Sequence, residues 1–99
     1  MDKTLRDAEV ELSLIRVRFG HSGSGTASEA LHWARCYRQW LRETLPMVGS
    51  WGEGNLRQAE GLVRDWERFN SQSDPRALEG LMIHSAAELN REILGRWGQ

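Results

Sequence analysis

The stretch from Leu5 to Phe19 constrains this chain more than any other, because it carries apolar residues on two sides. On a helical wheel of about 100° per residue, Leu5, Ala8, Leu12, Ile15 and Phe19 form one stripe, spaced alternately by three and four. Val10, Leu14 and Val17 form a second stripe roughly opposite the first. A helix on the surface of a small monomer needs one such stripe. A helix with two must be covered on both sides, by its own chain or by another. The stretch also alternates as a strand does, with Glu11 and Ser13, then Arg16 and Arg18, between apolar neighbours. Length favours the helix, since about seventeen residues from Lys3 to Phe19 exceeds a usual strand. The alternative is an α+β fold with residues 10–19 as a strand. No other segment alternates well enough to pair with it, so that strand would need a symmetry mate across a dimer.

The rest of the chain reads as three further helices. Gly20-His21-Ser22-Gly23-Ser24-Gly25 is a flexible connection, and Thr26 with Glu29 has the form of a capping box. A second helix is expected from Ala27 to Leu45, with Ala30, Trp33, Ala34, Tyr37, Trp40 and Leu41 on one face. Pro46 ends it, because proline has no N–H for the ladder and disfavours helical geometry in the residue before it. The span from Pro46 to Gly54 is glycine-rich and reads as a linker, although it carries Met47, Val48 and Trp51. Asn55 with Gln58 resembles another capping box, and a third helix is expected from there to Asn70. Its apolar arc is Leu56, Ala59, Leu62, Val63, Trp66 and Phe69. Asp74 followed by Pro75 is a favoured start for a fourth helix reaching about Arg96. That helix has a stripe of Leu78, Met82, Ala86, Leu89, Ile93 and Trp97, widened by Ile83, Ala87 and Leu94. Like the first helix, it has more apolar surface than one contact covers.

Ninety-nine residues make a single domain, here a helical one over residues 1–99. Apolar content of 39% with 27% charged residues describes a globular rather than a disordered chain. No apolar run is long enough to span a bilayer, and the charged start lacks the apolar core of a secretory signal. The single cysteine, Cys36, cannot form an internal disulfide, which fits a reducing cytoplasm. A formal net charge of −1 lacks the overall signature of a nucleic-acid binder. Five tryptophans are many for this length, and tryptophan is favoured both in small cores and at binding hot spots.

Each candidate chemistry is weak. Gly20 and Gly25 have the glycine spacing of a phosphate-binding loop, but Thr26 follows directly where that loop needs a lysine. His32 and Cys36 lie at i,i+4 and supply two of the four ligands a structural zinc requires; His21 and His84 form no ligand pair. Cys36 as a nucleophile would need a base and an oxyanion site, and His32 one turn away is slight support. His84 with Glu88 reads as a solvated i,i+4 pair. No enzyme, metal or cofactor is therefore expected.

What remains is surface. Val10, Leu14 and Val17 on the first helix, Ile83, Leu94 and Trp97 on the fourth, and Trp51 in the linker are the expected partner- or dimer-binding residues. Trp51 has an equal alternative, to fold back as a lid on the bundle rather than project as an anchor. Arg35, Arg38 and Arg42 form one basic stripe and Arg57, Arg64 and Arg68 another, as rim or phosphate contacts. The expected object is an all-α bundle of three to four helices, dimeric through its first and fourth helices; the rival is a monomer whose spare apolar face is a docking groove for another protein. Its expected function is to bind another protein, as an inhibitor, an anti-activator of a transcription regulator, an adaptor or a chaperone does. The alternative is a small helical nucleic-acid binder using the arginine stripes.

Overall fold

The computed structural model describes residues 4–22, 27–69 and 75–97; at 22, 27–28, 69, 75 and 96–97 it describes the backbone without the side chain. Four helices account for nearly all of these: α1 (Leu5–Ser22), α2 (Ala27–Thr44), α3 (Trp51–Phe69) and α4 (Pro75–Trp97), with a short 3-10 turn at Leu45–Met47. Among the described residues there is no strand, and residues 10–19 are helical throughout. The α+β alternative is thereby excluded.

The four helices form a ring in which α1 packs on α2 and α4, and α3 packs on the same two. Neighbours run antiparallel, as short connections between bundle helices require. Trp40, late in α2, reaches Ala8, early in α1. Arg35 and Arg42 of α2 meet Glu67 and Glu60 of α3 in reverse order. Gly49, just before α3, meets Glu92, late in α4.

Thr4 caps α1. The Asp7 N–H donates to Thr4 Oγ1 at 3.1 Å, and the Thr4 N–H donates to Asp7 Oδ2 at 3.1 Å, a reciprocal pair that satisfies two amide donors at the helix start. The inner stripe is buried: Leu5, Ala8, Leu12, Ile15 and Phe19 all belong to the core. They meet Ala30, Ala34, Tyr37, Trp40 and Leu41 of α2, Ala59, Val63 and Trp66 of α3, and Leu78, Leu81, Met82, Leu89 and Ile93 of α4. Burying one leucine such as Leu12 is worth about 1.5–3 kcal/mol. Trp33, on the same apolar face of α2 as the buried Trp40, is half-buried at the margin of the core.

Three boundaries differ from expectation. α1 continues past Phe19 to Ser22, so Gly20 lies inside a helix, with nothing within 4 Å of where a side chain would start. α2 ends at Thr44, whose hydroxyl donates to the Trp40 carbonyl at 2.6 Å, and the chain tightens into the 3-10 turn around Pro46. α3 begins at Trp51, four residues before the expected Asn55 cap. Gly52, read as linker, serves the helix start itself. A Cβ on Gly52 would lie 2.7 Å from Val48 Cγ2 and 3.2 Å from Leu45 Cδ2, so glycine lets the first turn of α3 sit directly on the preceding turn. Asn55 is consequently no cap but a buried residue within the helix. The expected caps at Thr26 and Asp74 lie outside the described residues.

Candidate functional site

The outer stripe of α1 faces away from the bundle. Val10 is 68% exposed, Leu14 52% and Val17 54%. On α4, Ile83 is 49% exposed and Leu94 62%. These five are the exposed large apolar side chains among the described residues, and they sit on two adjacent helices. Their positions explain why α1 and α4 are only weakly amphipathic while α2 and α3 are strongly one-sided: apolar residues on both faces cancel.

A groove flanks the α1 stripe on each side. Toward α2, Leu14, Ile15, Trp33, Cys36 and Trp40 line a largely apolar space of about 310 Å³, with Glu11, Gln39 and Glu43 at its edges. Toward α4, Ser13, Arg16, Val17, Glu79 and Met82 line a more polar one of about 310 Å³. The outer stripe is therefore a ridge between two furrows, the relief into which a partner helix packs its own ridges. Trp33 and Leu14 are the large apolar walls of the α2-side furrow. The ring of His32 stands edge-on to Trp33 at 5.0 Å, supporting that wall.

Trp51 behaves otherwise. It lies half-buried against the core, with its indole N–H buried and without a hydrogen-bond partner. The residue packs back on the bundle rather than projecting from it, which is the lid of the two readings its sequence leaves open. Trp97 closes α4, and its side chain lies outside the described residues.

The two arginine stripes, which the sequence shows on separate helices, converge on one seam between α2 and α3. Arg38, Arg57, Glu60, Arg64 and Glu67 line a groove of about 370 Å³ there. Glu67 accepts from Arg35 at 2.8 Å and from Arg38 at 3.2 Å, and Glu60 accepts from Arg42 at 3.2 Å. The hydrogen bond from Arg35 holds the Glu67 carboxyl below its usual range. Arg68 is exposed beyond this groove. The seam is an ion-pair ladder in which carboxylates occupy places a phosphate would take.

Polar groups in the core form a chain that the sequence pattern did not reveal. Asn55 Nδ2 donates to Ser85 Oγ at 2.8 Å, Ser85 and Tyr37 share a hydrogen bond of 2.6 Å, and Tyr37 Oη donates to the Leu81 carbonyl at 3.0 Å. His84 Nδ1 lies 3.2 Å from Asn55 Oδ1, with Glu88 3.9 Å from its other ring nitrogen. One direction of donation satisfies every link: His84 Nδ1–H to Asn55, Asn55 to Ser85, Ser85 to Tyr37, Tyr37 to Leu81. His84 is thus more than half of a solvated pair with Glu88. Burial pushes the Tyr37 hydroxyl up to about 12. The chain pins α2, α3 and α4 in register; its tyrosine, held neutral, is no acid or base near neutral pH.

Cys36 Sγ is 3.6 Å from His32 Nε2, but burial raises the thiol above its ordinary value, the opposite of an activated nucleophile. Among the described residues no group of three or more His, Cys, Asp or Glu side chains is placed to hold a metal ion. The phosphate-loop spacing runs from Gly20, now within α1, into residues 23–26, which lie outside the described residues. No helix among the described residues is long and apolar enough to cross a membrane. No protein-family model, curated protein or solved structure matches this chain.

Proposed function

We propose that this protein works by binding another protein, with the outer surface of α1 and the neighbouring strip of α4 as its docking face. One observation carries the reading: Val10, Leu14 and Val17 stand exposed on a helix whose opposite stripe already fills the core. The fold does not need these side chains, and exposed contiguous apolar surface of this kind marks interaction sites. The mechanism is occupation. Leucine, valine and isoleucine lose water against a partner, the α2-side furrow with Trp33 receives an apolar side chain, and Glu11, Arg16 and Glu79 at the edges orient the contact. A small protein that acts this way is an inhibitor, an anti-activator of a transcription regulator, an adaptor or a chaperone, working in the cytoplasm.

The test compares what the immobilised full chain and its Leu14→Glu/Val17→Glu variant retain from native extract, after circular dichroism has shown both folded. The reading expects a defined partner retained by the first and lost by the second. Identical retention by both removes it.

Nucleic-acid binding is the second reading, favoured by the convergence of Arg38, Arg57 and Arg64 on one groove. Glu60 and Glu67 stand in that groove and engage Arg35, Arg38 and Arg42, which weakens it.

A further inference from the structure

The outer face of α1 is symmetric about its own middle. Residues seven apart lie on one line along a helix, within about 20°. Val10 and Val17 form one such line, and Glu11 and Arg18 a second beside it. Leu14 lies within a residue of the midpoint of both. The first line has the same apolar residue at each end. The second has opposite charges at its ends, and Glu11 and Arg18 are both exposed.

A two-fold axis through Leu14, perpendicular to the helix, returns each line to its own flank and exchanges its ends. It lays α1 antiparallel on a copy of itself. Val10 then meets Val17 of the second copy, Leu14 meets Leu14, and Glu11 meets Arg18, with the unlike contacts made twice. A parallel arrangement would lay the charged line on the valine line and set neither Glu11 nor Arg18 against an opposite charge of the second copy.

The neighbouring helix fits the same axis. The α1–α4 groove sets Ser13, Arg16 and Val17 against Glu79 and Met82, so Ile83, one turn on from Glu79, stands at about the height of Leu14. A single helix crossing buries less than the ~800 Å² per partner of a standard interface. Ile83 and the exposed Ala87 beside it add a second strip on the same side of the axis.

We infer that the occupant of this face is a second copy of the chain, in an antiparallel α1–α1 dimer whose two-fold axis passes Leu14 and Ile83. The inference rests on the reading of this surface as a docking face and names what covers it. A different partner must then displace the second copy.

Sedimentation equilibrium on the full chain tests it, with Glu11→Arg, Arg18→Glu and the double variant. Each single change sets like charges face to face at both contacts and weakens the dimer at least about tenfold, whereas the double change restores the unlike pairs and returns the constant to within about threefold of the parent. In a Cys36→Ser background, Leu14→Cys oxidises to a covalent dimer, and Val10→Cys cross-links with Val17→Cys more readily than with itself. A chain that stays monomeric at all concentrations overturns the dimer, and so does a double variant weaker than both singles. A monomer that still loses its partner on Leu14→Glu/Val17→Glu overturns the second copy as occupant and leaves the docking face standing. A Leu14-centred dimer whose partner capture ignores that variant keeps the dimer and removes the functional reading.

Discussion

Trp40 Nε1 donates a hydrogen bond of 2.9 Å to the main-chain carbonyl of Ala8, across the seam between α1 and α2. Both residues are buried, and the smallness of Ala8 is what lets the indole reach the α1 backbone. The same ring stacks on Tyr37 with centroids 6.0 Å apart. α1 is thereby fixed in rotation, and that rotation decides which stripe enters the core and which remains outside. Trp40→Phe keeps most of the apolar contact and loses the bond. It should cost about 0.5–1.5 kcal/mol, whereas Trp40→Ala, which also opens a cavity, should cost about 3–5 kcal/mol; thermal or urea unfolding measures both.

Tyr37 is the sole tyrosine, so absorbance at 295 nm reports its ionisation without interference from another. Its folded pKa is raised from 10.0 to about 12, chiefly by burial. A raised folded value means that the native state holds its proton more tightly. The associated stability is intact below about pH 10 and is lost as pH climbs through about 12. In a Cys36→Ser background, to remove the thiol that shifts in the same direction, stability should fall by of order 2–3 kcal/mol across that window. Tyr37→Phe should flatten this alkaline limb. At neutral pH it should be less stable than the parent by about 1–3 kcal/mol, because the Ser85 hydroxyl loses its acceptor in a dry core.

Glycines in the helices divide by surroundings. Gly80 and Gly61 have nothing within 4 Å of a would-be Cβ, so Gly80→Ala and Gly61→Ala should each stabilise by about 0.5–1 kcal/mol through helix propensity. Gly52→Ala, made for the same helical gain, should instead destabilise by about 1–3 kcal/mol, because its methyl meets Val48 and Leu45. Melting temperatures of the three variants settle the contrast.

The α2–α3 seam predicts how the arginines behave toward nucleic acid. With Glu60 and Glu67 holding Arg35, Arg38 and Arg42, the parent chain should show no salt-dependent binding to DNA or RNA in titrations at two salt concentrations. Glu60→Gln/Glu67→Gln should create weak, salt-sensitive binding while altering stability little, since exposed ion pairs contribute about 0–1 kcal/mol each. Strong salt-dependent binding by the parent would favour the second functional reading.

Much of this architecture was legible in the residues. The three-four spacing of Leu5, Ala8, Leu12, Ile15 and Phe19 identified the buried stripe of α1, and Val10, Leu14 and Val17 lie outside because a helix cannot turn both stripes inward. The start of α3 was not legible, because glycine reads as a breaker in a propensity argument. The close approach of Gly52 to Val48, which makes glycine the residue that fits, exists only once the chain has turned. Asn55 misled for a related reason: asparagine favours caps by bonding to local backbone, but here its amide finds Ser85 from another helix. The arginine stripes could be read singly, but their convergence depends on which faces α2 and α3 present to each other. No spacing rule joins Arg35 to Glu67.

In this reading α1 has one face for the fold and another for association. Thermal melting of the Leu14→Glu/Val17→Glu variant, run alongside its sedimentation, tests this most directly. The expected result is a soluble monomer melting within a few degrees of the parent's own fold transition, with association lost, because these side chains are more than half exposed in the single chain. A variant that unfolds outright would place the outer stripe in the chain's own core, and one that associates as the parent does would show that the stripe covers nothing.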